Sequence, residues 1–428
     1  MMRARIPPIW YVLYNVLLHM GALFCLPFWI VARFTRGRYR GQFRERMGLF
    51  PRGLLARFPG EGAVWLHAAS AGETNAATPL VRRLRDLFPD RPFLFTVTSR
   101  YGKEMAARRL AGVVDAVAFS PLDLPLFCRR FLRRVRPSLY VMVETDLWPN
   151  VVRWAKRRGA RVALASGHAG PRTFPRPFWR RVLAEVDLFL MQSESDARCI
   201  VARGAPPERV HVMGNLKFEG GAPLDPSELP AWRAELGLPE GARVLVAGST
   251  LLEDEAPILD AVAALRGEGV ELVAVVAPRR QERILPLLEA CAARGLAAGR
   301  RTEGGCGAVL VLDTMGELAR AYETADVAYV GGGLTPEVGL HNVVEPLVCG
   351  VPVLLGPHRG KASRIAEEVL RAGAGLEVLD GGGFAEALRS LLADAGRRRA
   401  LAEAGQALLA RHRGAAERQA ARLRELVP

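Results

Sequence analysis

The sequence has no CxxC pair, although it holds six cysteines. Cys25, Cys128, Cys199, Cys291, Cys306 and Cys349 are scattered, and three sit in apolar or helical contexts. That spacing argues against a zinc site and a disulfide framework, and reads as reduced thiols in a cytoplasmic compartment. GxxxxGK[ST] is absent, which removes the P-loop reading. There is no zinc-finger spacing, no RRM-like signature and no interleaving of aromatic with basic residues, so no nucleic-acid partner is expected. No internal repeat is visible. Lysine is missing from residues 1–60, which hold ten arginines against a single acid, Glu45.

What is present is a chain of 428 residues, half of them hydrophobic, enough for two or three domains. The net charge of +15 calls for an anionic partner, such as a membrane or a nucleotide. Residues 1–44 form a basic and apolar segment, uncharged from Ile6 to Ala32. This length can span a bilayer, whereas Pro27, His19 and Asn15 favour a helix half-immersed in the interface. No clear small-x-small cleavage site follows it, as a signal peptide would require. Eight arginines follow the segment and two precede it, a bias that keeps the rest of the chain cytoplasmic if the segment spans.

Beyond it, short apolar runs alternate with helical patterns. GAVWLHAA, FLFTVTS, VVDAVAFSP, SLYVMVE, RVALASG and DLFLMQS read as one strand series. RVHVMGN, RVLVAGS, ELVAVVAP, AVLVLD, DVAYVGG, VPVLLGP and LEVLD read as a second. This is the βαβ rhythm of open parallel sheets. The fold class is therefore α/β, with two Rossmann-like domains facing each other. The first covers 45–215 and the second 231–405, with a Gly/Pro-rich linker at 216–230 and a last helix at 406–428. Ligands of such sheets lie beyond the carboxyl ends of the strands.

The loops at those ends carry the chemistry. In HAASAGE, small residues clear space and Glu73 opens a helix, as a base or as a first-turn acid. Glu144 ends a strand in ETDLWPN, where Asp146 can cap the next helix. Lys217 in GNLKFE lies beside the linker and can meet an anion. His168, Arg172 and Arg176 populate a Pro-rich basic loop. Gly248, Ser249 and Thr250 repeat the strand, small loop and helix pattern, and Pro278 and Arg279 end a strand. Met315, Gly316 and Glu317 precede another helix. In GGGLTPEVGLHNVVEP the glycines let a ligand approach the backbone. A helix is expected from Leu340–Asn342, with Glu345 either on a ribose or in a capping box with Asn342.

These stretches resemble the 3-deoxy-D-manno-octulosonic acid (Kdo) transferases of lipopolysaccharide assembly, family 30 glycosyltransferases with the GT-B fold. The matching segments run in order along nearly the whole chain: HAASAGE (67–73), TVTSRYGKEMA (96–106), ETDLWPN (144–150), QSESDA (192–197), GNLKFE (214–219), AGST (247–250), DTMGEL (313–318), HNVVEP (341–346) and GVPVLLGPH (350–358). The resemblance implies that Glu73 is the general base and that Glu144 and Lys217 stabilise the transition state. It implies contacts to the cytidine nucleotide from Pro278, Arg279, Met315, Gly316, Glu317, Asn342, Val343, Val344 and Glu345. The implied reaction is inverting transfer of Kdo from CMP-Kdo to a lipid A precursor of the lipid IVA type, releasing CMP, without cofactor or metal. The implied place is the cytoplasmic side of the bacterial inner membrane, on an anionic surface. The chain departs from the family at SGHAGPRTF (166–174), where an asparagine-alanine-arginine stretch is usual, and at GLHNVVE (339–345), which has an extra leucine and lacks the proline. Two alternatives are a GT-B enzyme with a different nucleotide-sugar donor and a non-catalytic anion-binding protein.

Overall fold

The computed structural model describes residues 8–35, 42–50, 52–55, 57–58, 60–144, 147–168, 176–219, 226–305 and 307–427. The chain divides into two compact units, Met1–Gly220 with His412–Pro428, and Gly221–Arg411. Asp146 and Arg172, two of the loop candidates, lie outside the described residues.

The first unit is built on seven parallel strands: β1 (Ala63–Ala68), β2 (Phe93–Val97), β3 (Ala116–Phe119), β4 (Pro137–Val143), β5 (Arg161–Gly167), β6 (Leu188–Met191) and β7 (Val210–Val212). Their order is β3-β2-β1-β4-β5-β6-β7. β1 is buried at every residue, as expected of a parallel strand covered on both faces. Trp65 packs with Phe131 and Tyr140 on one side, while Val64 and Leu66 join Leu80 and Phe95 on the other. RVHVMGN, which opens the second series in the sequence, is the edge strand of this first sheet, with Phe189 paired to Val210.

The second unit holds β8 (Arg243–Thr250), β9 (Leu272–Pro278), β10 (Ala298–Arg300), β11 (Val309–Val311), β12 (Val327–Val330), β13 (Val353–Leu355) and β14 (Gly375–Glu377). All pairings are parallel, in the order β10-β11-β9-β8-β12-β13-β14. β10 has no apolar run to announce it, being Ala-Gly-Arg. Two other differences concern helices. The long pattern at 384–409 is two helices, Gly381–Ala393 and Ala395–His412, because Asp394 is extended and its carboxylate accepts the amide of Arg397. The helix expected from Leu340 starts only at Val344. The amides of Leu340 and His341 are taken by the carbonyls of His358 and Gly331, which holds that segment out of a helix.

The N-terminal helix, Pro8–Thr35, presents two faces. Tyr14 donates to the buried Asp123 (2.7 Å) and stacks on Phe178, and Asn15 accepts from Asn150. Ile9, Val12, Leu13, Val16, Leu17, Met20, Leu23 and Phe24 form a stripe at helical spacing that is left exposed, 72% for Ile9 and 75% for Phe24. Among the described residues no helix is long and apolar enough to cross a membrane. The five described cysteines are free thiols.

Candidate active site

In the first sheet the strand order reverses between β1 and β4, the switch point where such parallel sheets open a crevice beyond the carboxyl ends of the strands. Glu73 follows β1 and Glu144 follows β4, so both stand at that switch point. Ser70 caps the helix Ala71–Leu87, its hydroxyl accepting the Glu73 amide, and the Glu73 carboxylate accepts the Ala69 amide at 2.6 Å. Glu73 is thus a first-turn acid, one of its two sequence readings, and the Ala69 amide fixes one of its carboxylate oxygens at the crevice.

Glu144 adopts a left-handed backbone, φ 66°, uncommon for a residue with a Cβ. Its amide donates to Ala165 and its side chain is buried. Lys217 Nζ lies 2.7 Å from one carboxylate oxygen, and His168 Nε2 lies 3.8 Å from the other. Lys217 belongs to a single 3-10 turn, Leu216–Glu219, after β7. Leu216 anchors that turn in the apolar cluster of Ala76, Ala77 and Leu80 from the Glu73 helix. Groups that follow β4, β5 and β7 therefore meet around one carboxylate. A buried carboxylate needs such a partner, because desolvation otherwise opposes its charge. Arg176 opens the helix Arg176–Glu185, and its side chain lies outside what the structure describes.

In the second sheet the reversal falls between β8 and β12. The Ser249–Thr250 end of β8 and Gly331–Gly333 after β12 are packed together there. A Cβ on Gly331 would stand 2.3 Å from the Ser249 carbonyl oxygen, and one on Gly333 would stand 2.6 Å from the Gly356 amide. The glycines are thus required by the protein's own backbone, and not by a ligand's approach alone. Asp254, wholly buried, holds the loop by accepting from the amides of Leu251, Gly332 and Leu334 and from the Tyr329 hydroxyl.

The remaining sequence candidates fall around this loop. The Arg279 amide donates to the Thr250 carbonyl, tying the end of β9, with Pro278, to that of β8. Burial and the charge of Arg279 push the His341 imidazole below its ordinary value, against the pull of Asp254. Asn342 donates to Glu345 at 2.9 Å and accepts the Val344 amide, while Val343 and Val344 are buried. Burial and then the charge of Glu345 raise the pKa of the buried Tyr322 phenol. Glu317 turns elsewhere: it takes the Thr314 hydroxyl and pairs with Arg301 at 3.3 Å. Met315 and Gly316 (φ 94°) form the exposed turn before it.

Sequence reasoning missed the side chains behind these positions. Asp254 looks like one acid in an acidic first turn. Gln192 and Asn215 were passed over inside quoted motifs. Gln419 had one usable signal: it is a polar residue on the stripe of Ala415, Ala416, Ala420 and Leu423, the buried face of the last helix.

Comparison with known proteins agrees with this architecture. Residues 41–220 match the family described as 3-deoxy-D-manno-octulosonic-acid transferase (kdotransferase). The 3-deoxy-D-manno-octulosonic acid transferase of Chlamydia pneumoniae is 31% identical over 373 residues, 85% of this chain and 84% of that protein. That of Bordetella pertussis is 31% identical over 417 residues, 93% of this chain and 95% of that protein. The structure of Anabaena Alr3699/HepE in complex with UDP-glucose matches with a TM-score of 0.58 at 15% identity, over 84% of this chain and 98% of that one. That last likeness concerns the fold, two parallel-sheet α/β domains of the GT-B type. The chain belongs to the 3-deoxy-D-manno-octulosonic acid transferases, which are glycosyltransferases.

Proposed function

We propose that the protein transfers Kdo from CMP-Kdo to a lipid A precursor of the lipid IVA type, with inversion and release of CMP, in lipopolysaccharide biosynthesis. The buried Glu144–Lys217 pair at the switch point of the first sheet carries this reading. Glu73 takes the proton of the acceptor hydroxyl as its oxygen bonds to the anomeric carbon. The bond from that carbon to the phosphate oxygen breaks, and its electron pair leaves with CMP. Glu144 offsets positive charge developing on the sugar, and Lys217 and Arg279 offset the charge of the departing nucleotide. Pro278, Met315–Glu317 and Asn342–Glu345 contact the cytidine nucleotide, and no cofactor takes part. The exposed apolar stripe of the N-terminal helix, flanked by arginines, suits the anionic cytoplasmic face of the bacterial inner membrane.

The test is mass spectrometry of the purified protein incubated with CMP-Kdo and a tetra-acylated lipid A precursor. The expected product is heavier by one or more Kdo units and is lost with Glu73→Gln. No product from folded protein that binds CMP would overturn the donor–acceptor assignment. Full activity of folded Glu73→Gln would overturn the base.

A further inference from the structure

The back of the Glu144–Lys217 pair is held by a closed ring of side-chain amides, and its keystone comes from the far end of the chain. Gln419 is wholly buried in the first unit. Its carbonyl oxygen accepts the Ser166 amide at 2.8 Å, and its NH2 donates to the Gly214 carbonyl at 3.0 Å. The Ser166 carbonyl in turn accepts from Gln192 at 2.8 Å. The Gln192 oxygen accepts from Asn215 at 3.1 Å, and the Asn215 oxygen accepts the backbone amide of Lys217 at 2.9 Å. Ser166 also receives the Leu216 amide on its hydroxyl. Each amide side chain uses both a donor and an acceptor, so displacing one leaves buried partners unpaired.

The helix bearing Gln419, Ala415–Arg424, is placed by the turn that bears Lys217. Phe218 stacks on His412 with ring centroids 4.1 Å apart, and the Glu219 carboxylate accepts the Ala416 amide. Gly214 has no Cβ where one would stand 3.2 Å from the Ala415 methyl. The ring lies at the carboxyl ends of β5, β6 and β7, the end of the sheet on which Glu144 stands.

We propose that Gln419 is a positioning residue for Lys217: through Ser166, Gln192 and Asn215 it fixes the turn that presents the ammonium to Glu144. This rests on the reading of the Glu144–Lys217 pair as part of the transfer machinery. The ring sets the backbone of residues 214–217, and with it the 2.7 Å separation of Nζ from the carboxylate. Ser166 is held in its left-handed conformation, φ 47°, by the same bonds.

The test compares Gln419→Met, Asn215→Ala and the double variant in full-length protein, reading kcat, KM for CMP-Kdo and melting temperature. Misplacement of the ammonium by about 1 Å predicts a kcat lower by about 10- to 100-fold. KM for CMP-Kdo stays within about twofold of the parent, since Lys217 is assigned to charge that develops only as CMP departs. The double variant falls little below the worse single one, as members of one ring do. Glu417→Ala breaks the exposed pair between Glu417 of the Gln419 helix and Arg83 of the helix Ala71–Leu87 and leaves kcat unchanged, which separates looser docking from lost positioning. Parental kcat in folded Gln419→Met, or losses that multiply in the double variant, overturn the proposal. If Gln419→Met does not fold, Asn215→Ala decides alone by the same kcat criterion. Parental kcat in both Glu144→Gln and Lys217→Met would instead remove the reading of the site on which the proposal rests.

Discussion

Lys217→Met isolates what the ammonium does for the folded state before any chemistry. The substitution keeps most of the unbranched side chain and removes its charge. The Glu144 side chain is 6% exposed and that of Lys217 is 32% exposed. Removing one partner of a fully buried pair costs about 3–5 kcal/mol, because the other charge stays desolvated. Here one-third of the lysine already faces water, which can replace part of what it supplies, so the cost is discounted to about 1–3 kcal/mol. A loss of about 2 kcal/mol lowers the melting temperature of a domain this size by about 4–8 °C. Glu144→Gln/Lys217→Met removes the stranded charge as well, and is expected to be at least about 1 kcal/mol more stable than the sum of the single losses. Differential scanning calorimetry of the four proteins closes the cycle. An unshifted Lys217→Met transition, or strict additivity, would refute the claim that this is a coupled buried pair.

Three further perturbations test the scaffold. Burial raises the Asp123 pKa to about 6, against the hydrogen bonds from Tyr14 and from the amides of Asn150 and Val151 that favour the charge. The native state therefore holds a proton there that the unfolded chain has lost, so this group's contribution to stability falls as pH rises from about 4 to about 6 and is flat above. Asp123→Asn removes that dependence, and urea unfolding across that range should show parent losing up to about 3 kcal/mol relative to the variant; parallel curves would refute it. Asp254→Ala strands the Leu251 and Gly332 amides and the Tyr329 hydroxyl, at a cost of at least about 3 kcal/mol. An unchanged melting temperature there would show that the glycine loop does not depend on Asp254. Gly331→Ala sets a methyl against the Ser249 carbonyl, so CMP affinity measured by calorimetry should fall together with stability; parental affinity would mean that the loop accommodates the methyl.

The strands and their order of use were legible because fully buried parallel strands are apolar along their whole length, as in Leu139–Val143 and Val273–Ala277. Glu144, Lys217 and the glycine loop were legible because they sit where strands end. β10 was not, since Ala-Gly-Arg at a sheet edge needs no apolar run. The helix at Leu340 failed for a different reason: local pattern favoured it, but tertiary hydrogen bonds from its first amides to Gly331 and His358 won. The ring behind Lys217 was invisible for a third reason. Gln419 and Ser166 are 253 residues apart, and no local spacing encodes a contact across that distance. The motifs name groups that face the crevice, while the groups that aim them are supplied by the fold.

Backbone strain gives an independent mark of the same crevices. Among the described residues four non-glycine positions have φ above zero: Arg136, Glu144, Ser166 and Ser249. Arg136 ends the helix Pro125–Val135, an ordinary place for a left-handed residue. The other three stand at the carboxyl ends of β4, β5 and β8. Each costs about 1–2 kcal/mol relative to glycine in the same conformation. Glu144 needs its carboxylate and Ser166 its hydroxyl, so neither can yield to glycine without losing a partner. Ser249 is the informative case, because its carbonyl packs on Gly331 whatever its side chain. Ser249→Gly relieves the strain, and after the added flexibility of the unfolded chain a net gain of about 1 kcal/mol remains. If the hydroxyl serves the donor, that gain in melting temperature comes with weaker CMP-Kdo binding. A variant that is more stable and binds as the parent does would assign the strain at Ser249 to the packing of the glycine loop. A variant that loses stability would refute the strain argument itself.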